Sequence, residues 1–372
     1  MSLDKIRKKI NRIDNKLMPL MKKRMDCSLE VAKIKAAEGL EIYHPKREEE
    51  ILKKAEVVGG EYGEYVKSVY RTLMSSSRRL QGNKLTPSGN FDDTLKTAEL
   101  SKANLENIIC PGTFGSFSHI ACTEMFPDKN IVLYNSFDEV FDVVSKSDDT
   151  IGVLPIENST AGSVIDVFDL MKKYKVYFVG EHQLKIRHNL LTLPNTKLED
   201  IKEIYSHPQA LAQCNVFLKE INISTVPYVN TALAAEHIKE IGDESKAAIG
   251  SLKCAEKFGL EVLKSDIQNN NNNTTRFVAI SKKLYIPNDA DKVSIYFTIP
   301  HIEGSLYSVI GRFAASNLNL TKIESRPLGK NFEYGFYLDF NGNVFDERVK
   351  SLLSEFQHEL PDFVFLGNYG KL

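Results

Sequence analysis

Residues 150–164 read TIGVLPIENSTAGSV, an apolar run that ends in a cluster of hydroxyl, amide and carboxylate side chains. Similar short apolar runs, separated by stretches with helical spacing, occupy residues 107–110, 131–134, 150–156, 175–179, 190–193, 246–249 and 276–280. This alternation predicts an α/β block with a largely parallel sheet over residues 106–282. Ligands of α/β folds bind at the carboxyl ends of strands, which is where the polar cluster falls.

Four polar clusters mark this α/β block. They are GTFGSFSH at residues 112–119, PIENSTAGSV at 155–164, YSHPQAL at 205–211 and NNTTRF at 272–277. A single cluster of this kind is commonly a turn or a helix cap, but four in order indicate a binding site. Glycines and serines at a helix start also offer backbone N–H groups to an anion. The asparagine run at residues 269–273 reads as plain loop.

The first 82 residues are predicted to be all-helical. Apolar side chains recur at helical spacing from Leu3 to Ile34, which indicates one long helix, followed by helices over residues 45–58 and 64–81. Pro19 lies inside the first helix, where it either costs stability or introduces a kink. Arg24 shares a seven-residue register with Ile10 and Val31. A cation on such an apolar stripe needs an anion, either in a structural ion pair or in a binding site.

The remaining segments are a linker and a compact last block. Residues 83–105 are polar with glycine and proline at the start, which predicts a linker. Residues 290–372 follow the order strand, helix, strand, strand, helix, strand, with elements at 293–299, 305–316, 320–325, 334–340, 346–359 and 363–367. This βαββαβ order is the α+β ferredoxin-like arrangement.

Composition excludes several classes of protein. A length of 372 residues predicts two or three domains. The net charge of −1 argues against a nucleic-acid partner, and no apolar run is long enough to span a membrane. The N-terminus lacks the apolar stretch of a signal peptide, and the five scattered cysteines suit free thiols in the cytoplasm. The histidines show no metal-binding spacing, so we expect neither a metal nor a cofactor.

Residues 3–81 resemble the all-helical chorismate mutase domain through the segments KIRKKINRID, KKRM, VAKIK, HPKREEEIL and SSSRRLQ. The resemblance implies that chorismate is bound by Arg7, Arg24, Lys35, His44, Arg47, Glu48, Ser77 and Gln81. The arginines are expected at the two carboxylates, while Lys35 and Gln81 would act as the catalytic donors to the ether oxygen. The pericyclic rearrangement needs only a held conformer and charge stabilisation. His44 replaces the acidic residue usual in that family.

The spacing of two arginines predicts a dimer. Arg7 and Arg24 are seventeen residues apart on one predicted helix, a separation of roughly 25 Å. One small substrate cannot contact both from the same chain, unless the helix bends sharply at Pro19. We therefore expect an intertwined homodimer, or a larger homo-oligomer, with shared mutase sites.

The four polar clusters resemble prephenate dehydratase, most distinctively in PIENS and TRF. The resemblance implies a two-lobed fold similar to type II periplasmic binding proteins, with lobes of about 106–181 plus 264–282 and 182–263. The expected cleft residues are Ser116, Ser118, Glu157, Asn158, Ser159, Ser206, His207, Gln209, Thr275 and Arg276. Thr275 is implied to be the positioned donor to the departing hydroxyl. Arg276 either pairs with a substrate carboxylate or braces Glu157.

Residues 290–372 resemble the ACT regulatory domain through GSL and ESRP. The resemblance implies that phenylalanine binds between paired domains and inhibits the dehydratase. The expected phenylalanine-binding residues are Gly304, Ser305, Leu306, Glu324, Ser325, Arg326 and Pro327.

Taken together, the chain resembles the bifunctional chorismate mutase–prephenate dehydratases of phenylalanine biosynthesis. The implied enzyme is an isomerase and a lyase that acts on chorismate and then prephenate, under feedback by phenylalanine. Two alternatives stay open from the sequence. In the first, the helical block only dimerises the protein and the dehydratase alone is active. In the second, the chain is a cytosolic binding or sensor protein without catalysis.

Overall fold

The computed structural model describes residues 2–40, 44–85, 89–98, 106–329 and 333–372. The chain divides into two compact units. The first unit contains Met1–Lys96, Tyr296–Tyr337 and Val344–Val364, and the second contains Thr97–Ile295, Leu338–Asn343 and Phe365–Leu372.

In the described part of residues 2–96, four α-helices open the first unit. They are α1 (Leu3–Glu38), α2 (Pro45–Gly59), α3 (Gly63–Leu85) and α4 (Gly89–Lys96). Helix α3 contacts both α1 and α2, and the three long helices confirm the prediction. Helix α1 continues through Pro19, so the helix tolerates the missing N–H of the proline.

The predicted linker is in part helical. Residues 89–96 form α4 instead of an irregular connection, because the side chain of Phe91 is buried and its burial stabilises the helix against its surroundings. Residues 83–85 of the predicted linker belong to α3. The rest of it, apart from residues 97 and 98, lies at 86–88 and 99–105, outside the described residues.

Within the described residues 106–281 of the second unit, eleven strands form two sheets. In chain order the strands are β1 (Asn107–Pro111), β2 (Ile131–Tyr134), β3 (Thr150–Asn158), β4 (Gly162–Ser163), β5 (Tyr177–Lys185), β6 (Asn189–Thr192), β7 (Glu203–Ser206), β8 (Ser224–Pro227), β9 (Lys246–Gly250), β10 (Glu261–Lys264) and β11 (Thr274–Ser281). The first sheet has the order β2-β1-β3-β11-β5, with β4 beside β3, and the second has the order β10-β6-β9-β7-β8.

Seven helices connect these strands. They are α5 (Phe117–Met125), α6 (Phe137–Lys146), α7 (Ile165–Lys173), α8 (Pro208–Gln213), α9 (Asn215–Ile221), α10 (Thr231–Ile241) and α11 (Leu252–Phe258). Each sheet has its own apolar core. Two sheets with separate cores are therefore present, as the two-lobed fold predicts.

Both sheets are mixed, which corrects the prediction of a largely parallel sheet. Strand β1 runs parallel to β2 and β3, but β11 is antiparallel to β3 and β5. In the second sheet β7 is parallel to β8 and β9, while β6 is antiparallel to β9 and β10. The reason lies in the connectivity, since the chain leaves the first lobe through β5 and returns through β11.

The last block has the predicted βαββαβ order. Its elements are β12 (Lys292–Thr298), α12 (Ser305–Ala315), β13 (Leu320–Pro327), β14 (Tyr334–Asn341), α13 (Glu347–Glu359) and β15 (Val364–Tyr369). The strand order is β13-β14-β12-β15. Within the first unit α13 contacts α3 and α4.

The C-terminal segment of the second unit packs against β5. The backbone N–H of Glu181 donates to the carbonyl of Gly370 at 3.0 Å, and that of Leu372 donates to the carbonyl of Glu181 at 2.9 Å. Gly367 approaches Phe178 so closely that an added Cβ would lie 2.1 Å from the Phe178 carbonyl oxygen. This approach requires a residue without a side chain.

Candidate active sites

The side chains of Asn158 and Thr275 meet where β3 ends and β11 begins. The two residues are cross-strand partners, and Asn158 Nδ2 donates to Thr275 Oγ1 at 2.9 Å. Asn158 Oδ1 accepts from the backbone N–H groups of Thr160 and Ala161 at 3.0 and 2.9 Å. A backbone N–H can only donate, so the amide orientation is fixed. Thr275 therefore accepts from Asn158.

The hydroxyl proton of Thr275 consequently remains available. Its oxygen is occupied as an acceptor by Asn158, and within the described chain we find no protein acceptor for its proton. The residue is buried, and a buried donor without a partner is costly. A ligand oxygen is the natural partner for this proton.

A closed ring of hydrogen bonds surrounds the Asn158 amide. Asn158 Nδ2 also donates to Asn273 Oδ1 at 2.8 Å, and Asn273 Nδ2 donates to Gln213 Oε1 at 3.0 Å. Gln213 Nε2 donates to Thr160 Oγ1 at 3.0 Å, and Thr160 Oγ1 donates to Asn158 Oδ1 at 2.6 Å. Every donor meets an acceptor, so the ring has one consistent direction. It joins the first lobe to α8 of the second.

The asparagine run is more than a plain loop, which corrects the sequence interpretation. Asn273 is only 1% exposed and belongs to the ring. Asn269 Oδ1 accepts from the backbone N–H of Val216 at 3.0 Å, at the start of α9. A hydrogen-bonded turn cannot be distinguished from a flexible polar loop by composition alone.

A cavity of about 350 Å³ adjoins the ring, between the two lobes. It is lined by Thr160, Ala161, Gln209, Ala212, Gln213, Gln268, Asn269, Asn270 and Asn273. The volume suits a small molecule. Among the described residues that line it, none carries a charge. The cavity can therefore recognise a ligand only through amides, hydroxyls and backbone groups.

Arg276 and Glu157 occupy the opposite side of the same strand pair. Neighbouring strand residues point to opposite faces, and Arg276 Nε lies 3.5 Å from Glu157 Oε2. Arg276 also forms ion pairs with Glu181 at 3.3 Å and Asp339 at 2.8 Å. Burial lowers the pKa of Arg276, but the carboxylates of Asp339 and Glu181 outweigh it and the pKa ends above its ordinary value. Arg276 thus lies in a buried cluster of carboxylates, in which its contact with Glu157 is the longest.

Other predicted dehydratase residues serve local structure. Ser116 caps α5 by accepting from the backbone N–H of His119, and Ser118 lies in the first turn of that helix. The buried hydroxyl of Ser206 donates to the carbonyl of Ile249 at 2.8 Å.

Two further predicted residues, His207 and Ser159, also make local hydrogen bonds, and a third, Gln209, lines the cavity. His207 caps α8 by accepting from the backbone N–H of Gln209, and burial lowers the pKa of His207. Ser159 Oγ donates to the carbonyl of Asn272 at 3.2 Å and so ties β3 to the asparagine run. Gln209 is the member of this group that lines the cavity.

In the helical block, Arg24 and Ser77 are brought together. Arg24 Nη1 donates to Ser77 Oγ at 2.7 Å. Gln81 lies one turn beyond Ser77 on α3, is 8% exposed, and its Oε1 has no hydrogen-bond partner within the described chain. A buried acceptor left open marks a position for a ligand donor. Glu48 of α2 forms an ion pair with Arg78 of α3, the residue that follows Ser77.

The remaining predicted mutase residues are more dispersed. Arg47 pairs with Glu50 at 3.0 Å on the surface, and His44 caps α2 by accepting from the backbone N–H of Arg47 at 3.2 Å. Lys35 lies in the last turn of α1. Arg7 is exposed near the start of α1, seventeen residues before Arg24.

The apolar stripe that carries Arg24 is not buried within one chain, which corrects the expectation. Ile10, Leu17 and Val31 are 50%, 47% and 45% exposed. The helical period correctly placed these side chains on one face. It could not show whether that face packs within the chain.

A further cavity of about 410 Å³ lies at the start of α12. It is lined by Ile299, Pro300, His301, Ile302, Gly304, Ser305, Leu306, Tyr307, Tyr334 and Phe336. The three predicted residues of the GSL segment are included, whereas Glu324, Ser325, Arg326 and Pro327 lie on β13 and do not line it. Gly304 adopts φ +80°, a conformation that glycine reaches without strain.

Neither a metal site nor a membrane-spanning helix is found among the described residues. These residues contain no group of three or more potential metal ligands. The same residues contain no helix with the length and apolar content needed to cross a membrane.

Residues 6–82 match the family Chorismate mutase type II, and residues 108–284 match the family Prephenate dehydratase. The bifunctional chorismate mutase/prephenate dehydratase of Buchnera aphidicola subsp. Acyrthosiphon pisum (strain APS) is 31% identical over 375 residues, which cover 98% of this chain and 95% of that protein. The chain belongs to the bifunctional chorismate mutase/prephenate dehydratase family.

Two other similarities bear on the dehydratase part of this family member. Arogenate dehydratase 2 of Petunia hybrida is 34% identical over 296 residues, covering 74% of this chain and 75% of that protein. The crystal structure of prephenate dehydratase from Arthrobacter aurescens in complex with L-Phe has a TM-score of 0.67 and 29% identity, covering 71% of this chain and 90% of that one.

As a bifunctional chorismate mutase/prephenate dehydratase, the chain is both an isomerase and a lyase. The alternative of a binding protein without catalysis is wrong, because both enzyme families match in one chain. The match of residues 6–82 likewise supports an active mutase over a mere dimerising block.

Three residues of the candidate dehydratase site were not among the residues predicted from the sequence. Thr160, Gln213 and Asn273 complete the ring around Asn158. One usable signal was present, because Gln209 and Gln213 are four residues apart in a helix and so share a face. The place of Asn273, two residues before Thr275, was another.

Proposed function

We propose that the enzyme rearranges chorismate to prephenate in its helical block and converts prephenate to phenylpyruvate, carbon dioxide and water in the two-lobed cleft. The observation that carries the second step is the oriented Asn158–Thr275 pair, which leaves the Thr275 proton available. The ring hydroxyl of prephenate leaves as water, and a donor at that oxygen is what the reaction requires.

The electron flow assigns Thr275 a limited task. Loss of carbon dioxide releases an electron pair that makes the ring aromatic and expels the hydroxyl group as hydroxide, which takes a proton from solvent to become water. Thr275 acts as a positioned hydrogen-bond donor to that departing oxygen, because a threonine hydroxyl is a poor acid. Asn158 supports this role by donating to Thr275 Oγ1 at 2.9 Å, which stabilises charge developing on the hydroxyl pair.

The uncharged lining of the cavity supports decarboxylation. The departing carboxylate loses its charge in the transition state. A cation beside it would stabilise the ground state more than the transition state and would slow the reaction. Amides and hydroxyls around the cavity avoid this effect while still orienting the substrate.

For the mutase step, we assign substrate binding to Arg24, Ser77 and Gln81, with Lys35 and Glu48 from the adjoining helices. The open Oε1 of Gln81 and the Arg24–Ser77 contact support this assignment. Arg7 is too distant on α1 to contact the same molecule. We assign this position in the site to Arg7 of the partner subunit.

A homodimer or larger homo-oligomer follows from that assignment. The exposed apolar side chains of α1 support it, since soluble monomers rarely expose long apolar stripes. They are Leu3, Ile6, Ile10, Ile13, Leu17, Met18, Leu20, Val31 and Ile34. A second α1 would cover this face.

We assign phenylalanine binding and feedback inhibition to the C-terminal block as an ACT domain. The cavity at α12 offers aromatic and aliphatic walls beside the backbone of Gly304 and Ser305, which suits the ring and the carboxylate of the amino acid. Glu324–Pro327 lie outside this cavity and would reach the ligand from a paired domain. The free cysteines support a reducing, cytoplasmic compartment.

The test is to incubate the purified enzyme with chorismate, prephenate or arogenate, each with and without phenylalanine, and to follow the products by chromatography. We expect phenylpyruvate from chorismate and from prephenate, reduced by phenylalanine. Product from prephenate but not chorismate would show an inactive mutase. Preferential turnover of arogenate would overturn the substrate assignment.

The site assignment has its own test in Thr275→Ala and Thr275→Ser. We expect the alanine variant to lose dehydratase activity by about 100-fold or more, and the serine variant, which keeps the hydroxyl, to retain most of it. Chorismate consumption by the same proteins is the internal control. A Thr275→Ala variant with full dehydratase activity would contradict the assignment.

A further inference from the structure

His188 lies at the hinge between the two lobes. It falls between β5 and β6, where the chain first crosses, and is 2% exposed. The segment by which the chain returns to the first lobe, which includes Ile267 and Gln268, contacts His188 directly. The backbone N–H of His188 donates to Gln268 Oε1 at 2.9 Å, and the N–H of Ile267 donates to the His188 carbonyl at 2.9 Å. The two crossing segments are therefore bonded to each other at this residue.

The imidazole of His188 contacts the ring of hydrogen bonds described above. His188 Nε2 lies 2.9 Å from Gln213 Oε1. Gln213 Nε2 already donates to Thr160, so the oxygen of Gln213 faces His188 and can only accept. Nε2 of His188 must therefore carry the proton.

The other side of the imidazole keeps it in this tautomer. Nδ1 is buried and has no hydrogen-bond partner within the described part of the chain. The aromatic ring of Phe117 packs in a T-shaped arrangement against the His188 imidazole, with a centroid distance of 5.5 Å. A proton on Nδ1 would find no acceptor, and burial lowers the pKa of His188. The side chain is thus held as a neutral donor at Nε2.

We propose that His188 is a positioning residue of the dehydratase, whose Nε2–H fixes the Gln213 amide at the cavity and thereby the hydrogen bond from Gln213 to Thr160, next to the Asn158–Thr275 pair. This inference rests on the proposed dehydratase function. If the Gln213 amide turned over, its N–H would face the N–H of Asn273. The hydroxyl of Thr160 would then be free to leave Asn158. The donor at His188 therefore supports the orientation of the Gln213 amide and, with it, the Thr160 side of the ring.

The test compares His188→Gln with His188→Met in the full-length enzyme. The glutamine amide nitrogen reaches the place of the imidazole Nε2 and restores the donor, while methionine has similar length without one. We expect His188→Met to lower kcat for prephenate by about 10- to 100-fold, with a smaller change in KM. His188→Gln should stay within a few-fold of the unmodified enzyme.

His237 provides the matched control. It stacks on Tyr228 in the second lobe with a centroid distance of 4.9 Å, and no hydrogen bond among the described residues joins it to the ring around Asn158. His237→Met should leave kcat unchanged. Equal activity of His188→Met and the unmodified enzyme would overturn the proposal. Equal loss in His188→Gln and His188→Met would also overturn it, since the donor would then be irrelevant.

A double-mutant cycle with Gln213→Met distinguishes positioning from general damage. If His188 acts through Gln213, adding His188→Met to Gln213→Met should lower kcat by less than about threefold. Independent, multiplied losses would contradict the proposal. Failure of the unmodified enzyme to turn over prephenate would refute the proposed function itself, which keeps the two failures distinguishable.

Discussion

An amide, rather than a carboxylate, next to Thr275 decides what the hydroxyl can do. Asn158 presents its nitrogen to Thr275 because two backbone N–H groups claim its oxygen. The hydroxyl is therefore forced to accept from the protein and to donate elsewhere. A carboxylate in the same place would take the proton instead.

Asn158→Asp is accordingly expected to lower dehydratase kcat by about 100-fold or more, although the side chain keeps its shape. The new carboxylate accepts from Thr275 and withdraws its proton from the substrate. Prephenate turnover measures the loss, and chorismate consumption by the same protein, whose site is in the helical block, should not change. Activity within threefold of the unmodified enzyme would refute the orientation argument.

One buried and two half-buried histidines make the stability of the dehydratase depend on pH. Burial lowers the pKa of His119, His188 and His207 below the ordinary value of about 6.5. The unfolded chain therefore binds protons first as the pH falls. The stabilising contribution is complete above about pH 6.5 and is lost as the pH drops toward the lowered pKa values.

Urea unfolding between pH 7.5 and 5 should show this loss as a falling midpoint. His188→Gln removes one of the three titrating groups, so its midpoint should fall less over the same range. A midpoint that rises on acidification would contradict the assignment of neutral, buried imidazoles.

At the scale of elements, the contact of β15 with β5 leaves no room for a side chain. Gly367 has φ +149°, and a Cβ there would meet the Phe178 carbonyl oxygen. Gly367→Ala is expected to destabilise the protein by about 2 kcal/mol or more. Differential scanning calorimetry measures the shift.

Gly311 in α12 is the control for this substitution, since a Cβ at that position meets nothing within 4 Å. Gly311→Ala should be neutral or slightly stabilising, because alanine favours a helix. If both variants had the same melting temperature, the close approach of Gly367 to β5 would not contribute to stability.

The elements show how far the sequence could lead. Periodicity predicted the three long helices, most strands of the first lobe and the complete βαββαβ order, because each has a clear apolar pattern. It missed the direction of β11, since strand direction depends on connectivity between distant segments. It also missed α4, a short helix that depends on burial of Phe91, which tertiary packing alone decides.

The sequence indicated the residue types of the candidate site but not the hydrogen bonds that connect them. PIENS and TRF carried Asn158 and Thr275, which the structure places in direct contact. Gln213 and Asn273 were missed, because their role arises from a ring closed over more than a hundred residues of chain. The sequence left two roles open for Arg276, of which one was a contact with Glu157, and its buried partners Glu181 and Asp339 come from strands that no local pattern connects.

At the scale of the whole molecule, the separation of Arg7 and Arg24 makes a test of shared sites possible. Arg7→Ala and Arg24→Ala should each abolish most mutase activity. In a mixed dimer both changes fall in one site and the other site is intact. Mixing the two inactive variants after unfolding and refolding should therefore restore about a quarter of the original activity.

Chorismate consumption by the mixture measures this recovery, and each variant refolded alone is the control. Prephenate turnover should stay unchanged throughout, since neither arginine belongs to the dehydratase. No recovery on mixing, with dimers present by size-exclusion chromatography, would mean that each chain builds its mutase site alone.

The insertion of β11 between β3 and β5 also sets an order of events during synthesis. Thr275 pairs with Asn158, which emerges from the ribosome 117 residues earlier. At about 5–20 residues per second this is a delay of about 6–23 s. The strands of the second lobe all lie within residues 189–264, so that lobe can fold first. During the delay β3 has an unpaired edge, and a chaperone that shields nascent strands would have its natural target there.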